Sequence, residues 1–106
     1  MKELMETIIS FVNEREWGQF HNGKDLSLAL MLEAAELNEK FLWKQAEDVS
    51  AEAIKDELAD VLIYCFQLAD KYNLDIKKIM LEKLAKNAAK YPVEKAKGNA
   101  KKYTEL

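Results

Sequence analysis

The stretch from Leu58 to Ala69 reads Leu-Ala-Asp-Val-Leu-Ile-Tyr-Cys-Phe-Gln-Leu-Ala, and it constrains the fold more than any other part of the chain. As a helix it is apolar nearly all round, so it demands burial on most sides rather than along one stripe. The chain has 106 residues, enough for one domain. A domain of this size buries only roughly two-thirds of its unfolded surface. Four short helices do not readily enclose one of their own, so a dimer or higher oligomer with this helix at its centre is expected.

The other helices follow from periodicity and punctuation. Leu4, Ile8, Phe11 and Val12 obey the i, i+4, i+7, i+8 rule and predict a first helix from about Lys2 to Trp17. Gly18 and the Asn22-Gly23 pair mark an irregular stretch from Trp17 to Lys24. Asp25 is the expected N-cap of a second helix running to about Trp43. After a polar connector, Lys44 to Val49, Ser50 caps a third helix that continues to about Tyr72. Asp75 caps a fourth, which Pro92 ends by about Tyr91. Val93 to Leu106 is charged and is expected to be a surface tail. With no strand signal or internal repeat, the class is all-α, a single domain over residues 1–106.

Composition removes several function classes. The formal charge of −3 and the acidic pI lack the basic footprint of a nucleic-acid binder. Cys65 is the only cysteine, which excludes an internal disulfide and a thiolate zinc cage. No apolar run is long enough to span a bilayer, and Met1 leads straight into an amphipathic stretch. A cytoplasmic protein acting off the membrane is expected.

Two polar lines carry the chemistry. Glu57, Asp60, Tyr64 and Gln67 fall within a sector of roughly 80° on the third helix. Glu33, Glu36, Lys40 and Trp43 share a sector of the second, with Leu32, Ala34, Ala35 and Leu37 around the acids. A lone Glu-x-x-Glu pair is usually just a solvated face. Here the third helix has almost no other polar surface, and each line carries an aromatic beyond its acids. If the lines face each other, Glu33, Glu36, Glu57 and Asp60 form a cluster that needs cations or protons to compensate it. All-oxygen ligands suit Mg²⁺, with Mn²⁺ as a substitute, rather than Zn²⁺ or Cu²⁺. A di-iron bundle requires Glu-x-x-His on two helices, and the only histidine, His21, lies outside them. Mg²⁺ commonly takes its remaining ligands from substrate phosphates, so the residues alone point to Mg²⁺ and a phosphoester. Taken singly, Trp17 and Trp43 fit helix-end core residues, His21 a polar loop group, and Lys83 and Asn87 a solvated helix face.

The ordered set of motifs says more. Glu33-Ala-Ala-Glu36, followed twenty residues later by Glu57-Leu-Ala-Asp60, resembles the MazG-like all-α nucleoside triphosphate pyrophosphohydrolases. Trp17-Gly-Gln-Phe-His21, Phe41-Leu-Trp43-Lys44, Asp60-Val-Leu-Ile-Tyr64, Lys83 with Asn87, Tyr91-Pro92 and Lys102-Tyr-Thr-Glu-Leu106 are similar to the dCTP pyrophosphatase branch. The resemblance implies a four-helix MazG-like bundle assembled as a tight dimer or as a homotetramer of two such dimers. It implies that Glu33, Glu36, Glu57 and Asp60 hold Mg²⁺. It gives Trp17, His21, Trp43 and Tyr64 to a base and sugar pocket, and Lys83 and Asn87 to the phosphates. The expected reaction is (d)NTP plus water to (d)NMP plus pyrophosphate, with dCTP preferred, in a house-cleaning or pool-control role. Glu36 is the expected proton acceptor, with Glu33 as the alternative. The same chemistry on dUTP, dATP or a modified nucleotide is the second expectation, and a non-catalytic helical association module a third. One departure is Leu32, where the wider signature has its first Glu; no second metal or water-activating role is expected there.

Overall fold

The computed structural model describes residues Met1 to Glu105; Leu106, the end of the Lys102–Leu106 motif, lies outside the described residues. All regular structure among the described residues is helical. Two compact units divide the chain, Met1–Leu74 and the segment from Asp75 onward.

In the first unit, α1 spans Lys2–Glu14 and buries Ile8 and Val12. It stops short of Trp17 because Glu16 takes a left-handed backbone, φ 54°, and turns the chain into a 3₁₀ segment, Trp17–Phe20. Trp17 then packs edge-on against Phe11, ring centroids 5.7 Å apart, and the Arg15 guanidinium lies 3.8 Å over the Phe11 ring.

The second helix, α2, spans Gly23–Glu39. Its cap is Asn22 and not the expected Asp25, whose backbone N–H instead donates to Asn22 Oδ1 at 2.8 Å. Asp25 thus sits in the first turn, where its charge suits the helix dipole. The expected continuation to Trp43 also fails. The N–H groups of Lys40, Phe41 and Leu42 donate to carbonyls three residues back, and Trp43 ends the turn at φ 64°. The tightened winding carries Trp43 off the helix face on which the 3.6-residue period placed it.

Beyond a connector with a 3₁₀ turn at Ala46–Asp48, α3 spans Ala51–Lys71. Ser50 caps it as expected, its Oγ accepting the Ala53 N–H at 3.2 Å. Helices α2 and α3 run antiparallel. Lys40 Nζ reaches Glu57 Oε1 at 3.7 Å at one end, and Gly23 abuts Tyr72 at the other. That approach uses the missing side chain: a Cβ on Gly23 would overlap the Tyr72 hydroxyl and lie 2.8 Å from Cζ. Between these ends sits the core, Leu26 at 1% exposure with Phe66 and Ala69 of α3 and Ile8 and Val12 of α1.

The all-round burial expected of α3 is not achieved within one chain. Leu58, Leu62 and Ile63 remain exposed, and so do Leu28, Met31 and Leu32 of α2.

In the second unit, α4 spans Ile76–Lys90, with Asp75 Oδ1 accepting the Lys78 N–H at 3.0 Å. After Pro92 the tail forms a short helix, α5 (Val93–Ala96), and a 3₁₀ turn, Tyr103–Glu105. Tyr103 returns to the end of α4, edge-on to Tyr91 at 6.2 Å, with Lys90 Nζ 4.8 Å over its ring.

Candidate active site

Antiparallel pairing of α2 and α3 brings the two polar lines together. Glu33 and Glu36 are one turn apart on α2, Glu57 and Asp60 one turn apart on α3, and the Lys40–Glu57 ion pair bridges the helices beside them. Glu33 is the innermost acid. Its Oε2 is buried without a hydrogen-bond partner. Burial raises its pKa above the ordinary 4.5, helped by contact with the Glu36 carboxyl and by the charges of Glu36, Asp60 and Glu57. The charges of the other three acids therefore all act on Glu33.

Such an arrangement opposes folding unless something neutralises it. Because Glu33 holds its proton more tightly folded than unfolded, its contribution is fully present below the unfolded pKa. That stability is lost as pH rises through the raised folded value. Glu33→Gln removes the penalty while keeping the shape. The metal-free variant is expected to melt a few degrees above wild type at pH 8, with the advantage vanishing near pH 4. Calorimetry across that range, in EDTA, checks it.

The donor set fits a hard cation. It is all oxygen, it carries excess negative charge, and one buried carboxylate oxygen lacks any partner. Among the described residues no three His, Cys, Asp or Glu side chains are gathered closely enough to hold a metal ion by themselves. An ion that keeps several waters and shares its coordination with phosphates needs few protein ligands and no closed cage.

The expected pocket residues are only partly gathered. Tyr64, half-buried, continues the α3 line from Asp60. His21 lines a small cavity with Gly18 and Gln67, beside the start of α2. Trp17 flanks this end but lies against Phe11 and Arg15. Trp43 is fully exposed, beyond the opposite end of α2. The seventeen residues of that helix put it roughly 25 Å from the His21 end. A bulky left-handed residue costs on the order of 1 kcal/mol, which makes its projection into solvent notable. Lys83 and Asn87 belong to the second unit, one turn apart on α4, with Asn87 half-buried.

Lys40 and Gln67 were visible as members of the polar lines but carried no site role by spacing alone. Only the packing shows Lys40 paired with a site acid and Gln67 buried.

Comparison with known proteins gives the family. The MazG-like family model matches residues 28–106. Over its full length the chain is 36% identical to dCTP pyrophosphatase 1 of Bos taurus, covering 68% of that protein. It is 35% identical to dCTP pyrophosphatase 1 of Homo sapiens, covering 67%. It superposes on the crystal structure of a pyrophosphatase from Archaeoglobus fulgidus with a TM-score of 0.77 and 33% identity, over 87% of this chain and 92% of that one. With the acids of two antiparallel helices facing each other and most of the sequence matched, this chain belongs to the MazG-like family.

Proposed function

We propose that the protein is a nucleoside triphosphate pyrophosphohydrolase that prefers dCTP, releasing dCMP and pyrophosphate. The observation that carries this is the four-carboxylate focus on Glu33, in a chain similar along its whole length to dCTP pyrophosphatases.

Glu33, Glu36, Glu57 and Asp60 would hold the cation. Mg²⁺ bound there would polarise the phosphate oxygens and acidify a water. Glu36, the more exposed carboxylate next to Glu33, accepts the proton as the water oxygen bonds to the α-phosphorus. The bond from that phosphorus to the bridging oxygen breaks, and the electron pair leaves with pyrophosphate. The resemblance assigns the phosphate contacts to Lys83 and Asn87. Tyr64, next on the α3 line, packs against the sugar and leaves little room for a 2′-hydroxyl.

The exposed stripes of Leu28, Met31 and Leu32 on α2 and of Leu58 and Leu62 on α3 support self-association into a dimer or tetramer. Trp43 stands too far from His21 to close the same base pocket from within one chain, so it serves a neighbouring copy. No helix among the described residues is long and apolar enough to cross a membrane.

The test is a panel of dCTP, CTP, dUTP and dATP with Mg²⁺, with monophosphate, pyrophosphate and orthophosphate measured separately. Pyrophosphate and dCMP, fastest from dCTP and abolished by EDTA, are expected. Equal use of CTP and dCTP would remove the sugar argument, and turnover of none would remove the enzyme.

A further inference from the structure

We propose that Lys40 is the exchangeable counter-ion of the site: it pairs with Glu57 while no metal is bound, yields that carboxylate to the cation, and turns its ammonium to the phosphates of the nucleotide. This rests on the pyrophosphohydrolase reading and adds a phosphate-contact residue to it.

Of the ion pairs among the described residues, Lys40–Glu57 alone joins two helices and alone involves one of the four acids. Its Nζ stands 3.7 Å from Glu57 Oε1, with the lysine side chain 42% exposed and the glutamate 23%. A pair this exposed contributes little to stability. Its significance is its position. Lys40 lies one turn beyond Glu36, where α2 ends, and Glu36 in turn contacts Glu33. A single ammonium thus stands at the edge of an acidic cluster whose innermost oxygen, Glu33 Oε2, has no partner.

One ammonium cannot balance that cluster, and the excess negative charge draws in a divalent cation. The cation and the ammonium repel each other while both are attracted to Glu57, so the weaker charge gives way. Lysine suits such an exchange, being a compact charge on a flexible four-carbon stem. It is also a common phosphate ligand. A cation on Glu57 lies about 2 Å from its oxygen, and phosphates sharing that ion come within reach of the stem. Metal alone therefore binds against the lysine, whereas metal with nucleotide binds with it. By linkage, nucleotide and cation each strengthen the binding of the other.

The two ligands are measured separately in wild type and Lys40→Met. Lys55→Met is the control, because it removes one positive charge from α3 where Lys55 pairs with Glu52, outside the cluster. Manganese is titrated into nucleotide-free protein, and the free ion is counted by electron paramagnetic resonance. Lys40→Met should bind it at least ~5-fold more tightly than wild type, since a like charge has gone. KM for dCTP at saturating Mn²⁺ should move the opposite way, rising at least ~5-fold. Lys55→Met should stay within ~3-fold of wild type on both measures, its charge being solvated and screened. A merely structural role for Lys40 would weaken both ligands together, so the opposite signs are diagnostic. Manganese affinity that is unchanged or weaker in Lys40→Met would overturn the proposal, and so would an unchanged KM. An equal gain in Lys55→Met would mean net charge rather than exchange and would overturn it too. Those outcomes leave wild-type hydrolysis of dCTP intact. A wild-type protein that binds manganese but hydrolyses no nucleotide would instead overturn the pyrophosphohydrolase reading, and the phosphate contact with it.

Discussion

Glu36→Gln is expected to lower kcat on dCTP by at least ~10²-fold, the lower range for losing a general base, while leaving the fold intact. The amide keeps the size of the carboxyl, and Glu36 is exposed, so no packing is lost. One negative charge disappears from beside Glu33, which relieves the cluster rather than straining it. Stability should therefore hold or rise while rate collapses, a combination that separates a chemical role from a structural one. Circular dichroism melts and single-turnover kinetics on the same preparation check both halves. An unchanged rate in Glu36→Gln, with a comparable loss in Glu33→Gln, would transfer the proton to Glu33.

The second large effect is on stability. A cation that binds the folded chain and not the unfolded one stabilises it by RT ln(1 + [L]/Kd), about 2.7 kcal/mol at a hundred times Kd. For a domain near this size, each kcal/mol moves the melting temperature by roughly 4–8 °C. Saturating Mg²⁺ should therefore raise the wild-type midpoint by about 10 °C or more. The gain should be large because the ion compensates the mutual repulsion of Glu33, Glu36, Glu57 and Asp60, which in the metal-free protein only Lys40 offsets, through its ion pair with Glu57. In Asp60→Asn the metal-free midpoint should hold or rise and most of the Mg²⁺-induced gain should vanish. A wild-type protein whose midpoint ignores Mg²⁺ and Mn²⁺ would leave the carboxylate cluster without its proposed ligand.

Much of the architecture was legible in the sequence because its signals are local. Ser50 and Asp75 cap helices where their side chains and the following periodicity indicated, and Pro92 stops α4 as a residue without an N–H must. That Glu33 shares a face with Glu36, and Glu57 with Asp60, was also legible, since both pairs lie within regular helix where 100° per residue holds; that the two faces meet follows only from the packing of α2 on α3. Positions outside regular helix were misplaced. Trp43 was put on the face of α2 by extending the period across Lys40–Leu42, but those residues wind with i→i−3 bonds. Trp17 was read as the end of α1, although a left-handed Glu16, a conformation rare outside glycine, had already ended it. Asp25 looked like the better cap because it adjoins the apolar run. Asn22 captures that role because its side chain meets the Asp25 N–H from three residues upstream. Gln67 was visible as a member of a polar line, but no spacing rule distinguishes a solvated glutamine from one buried without a partner. That difference arises only when α1 and the start of α2 close over it.

The most direct test of the central claim is hydrolysis of dCTP in ¹⁸O-water with Mg²⁺, followed by mass spectrometry of both products. Attack of water at the α-phosphorus predicts one ¹⁸O in dCMP and none in pyrophosphate. Label in pyrophosphate would place the attack on the β-phosphorus, and labelled orthophosphate would place it at the γ-position; either result would contradict the reaction assigned to this site.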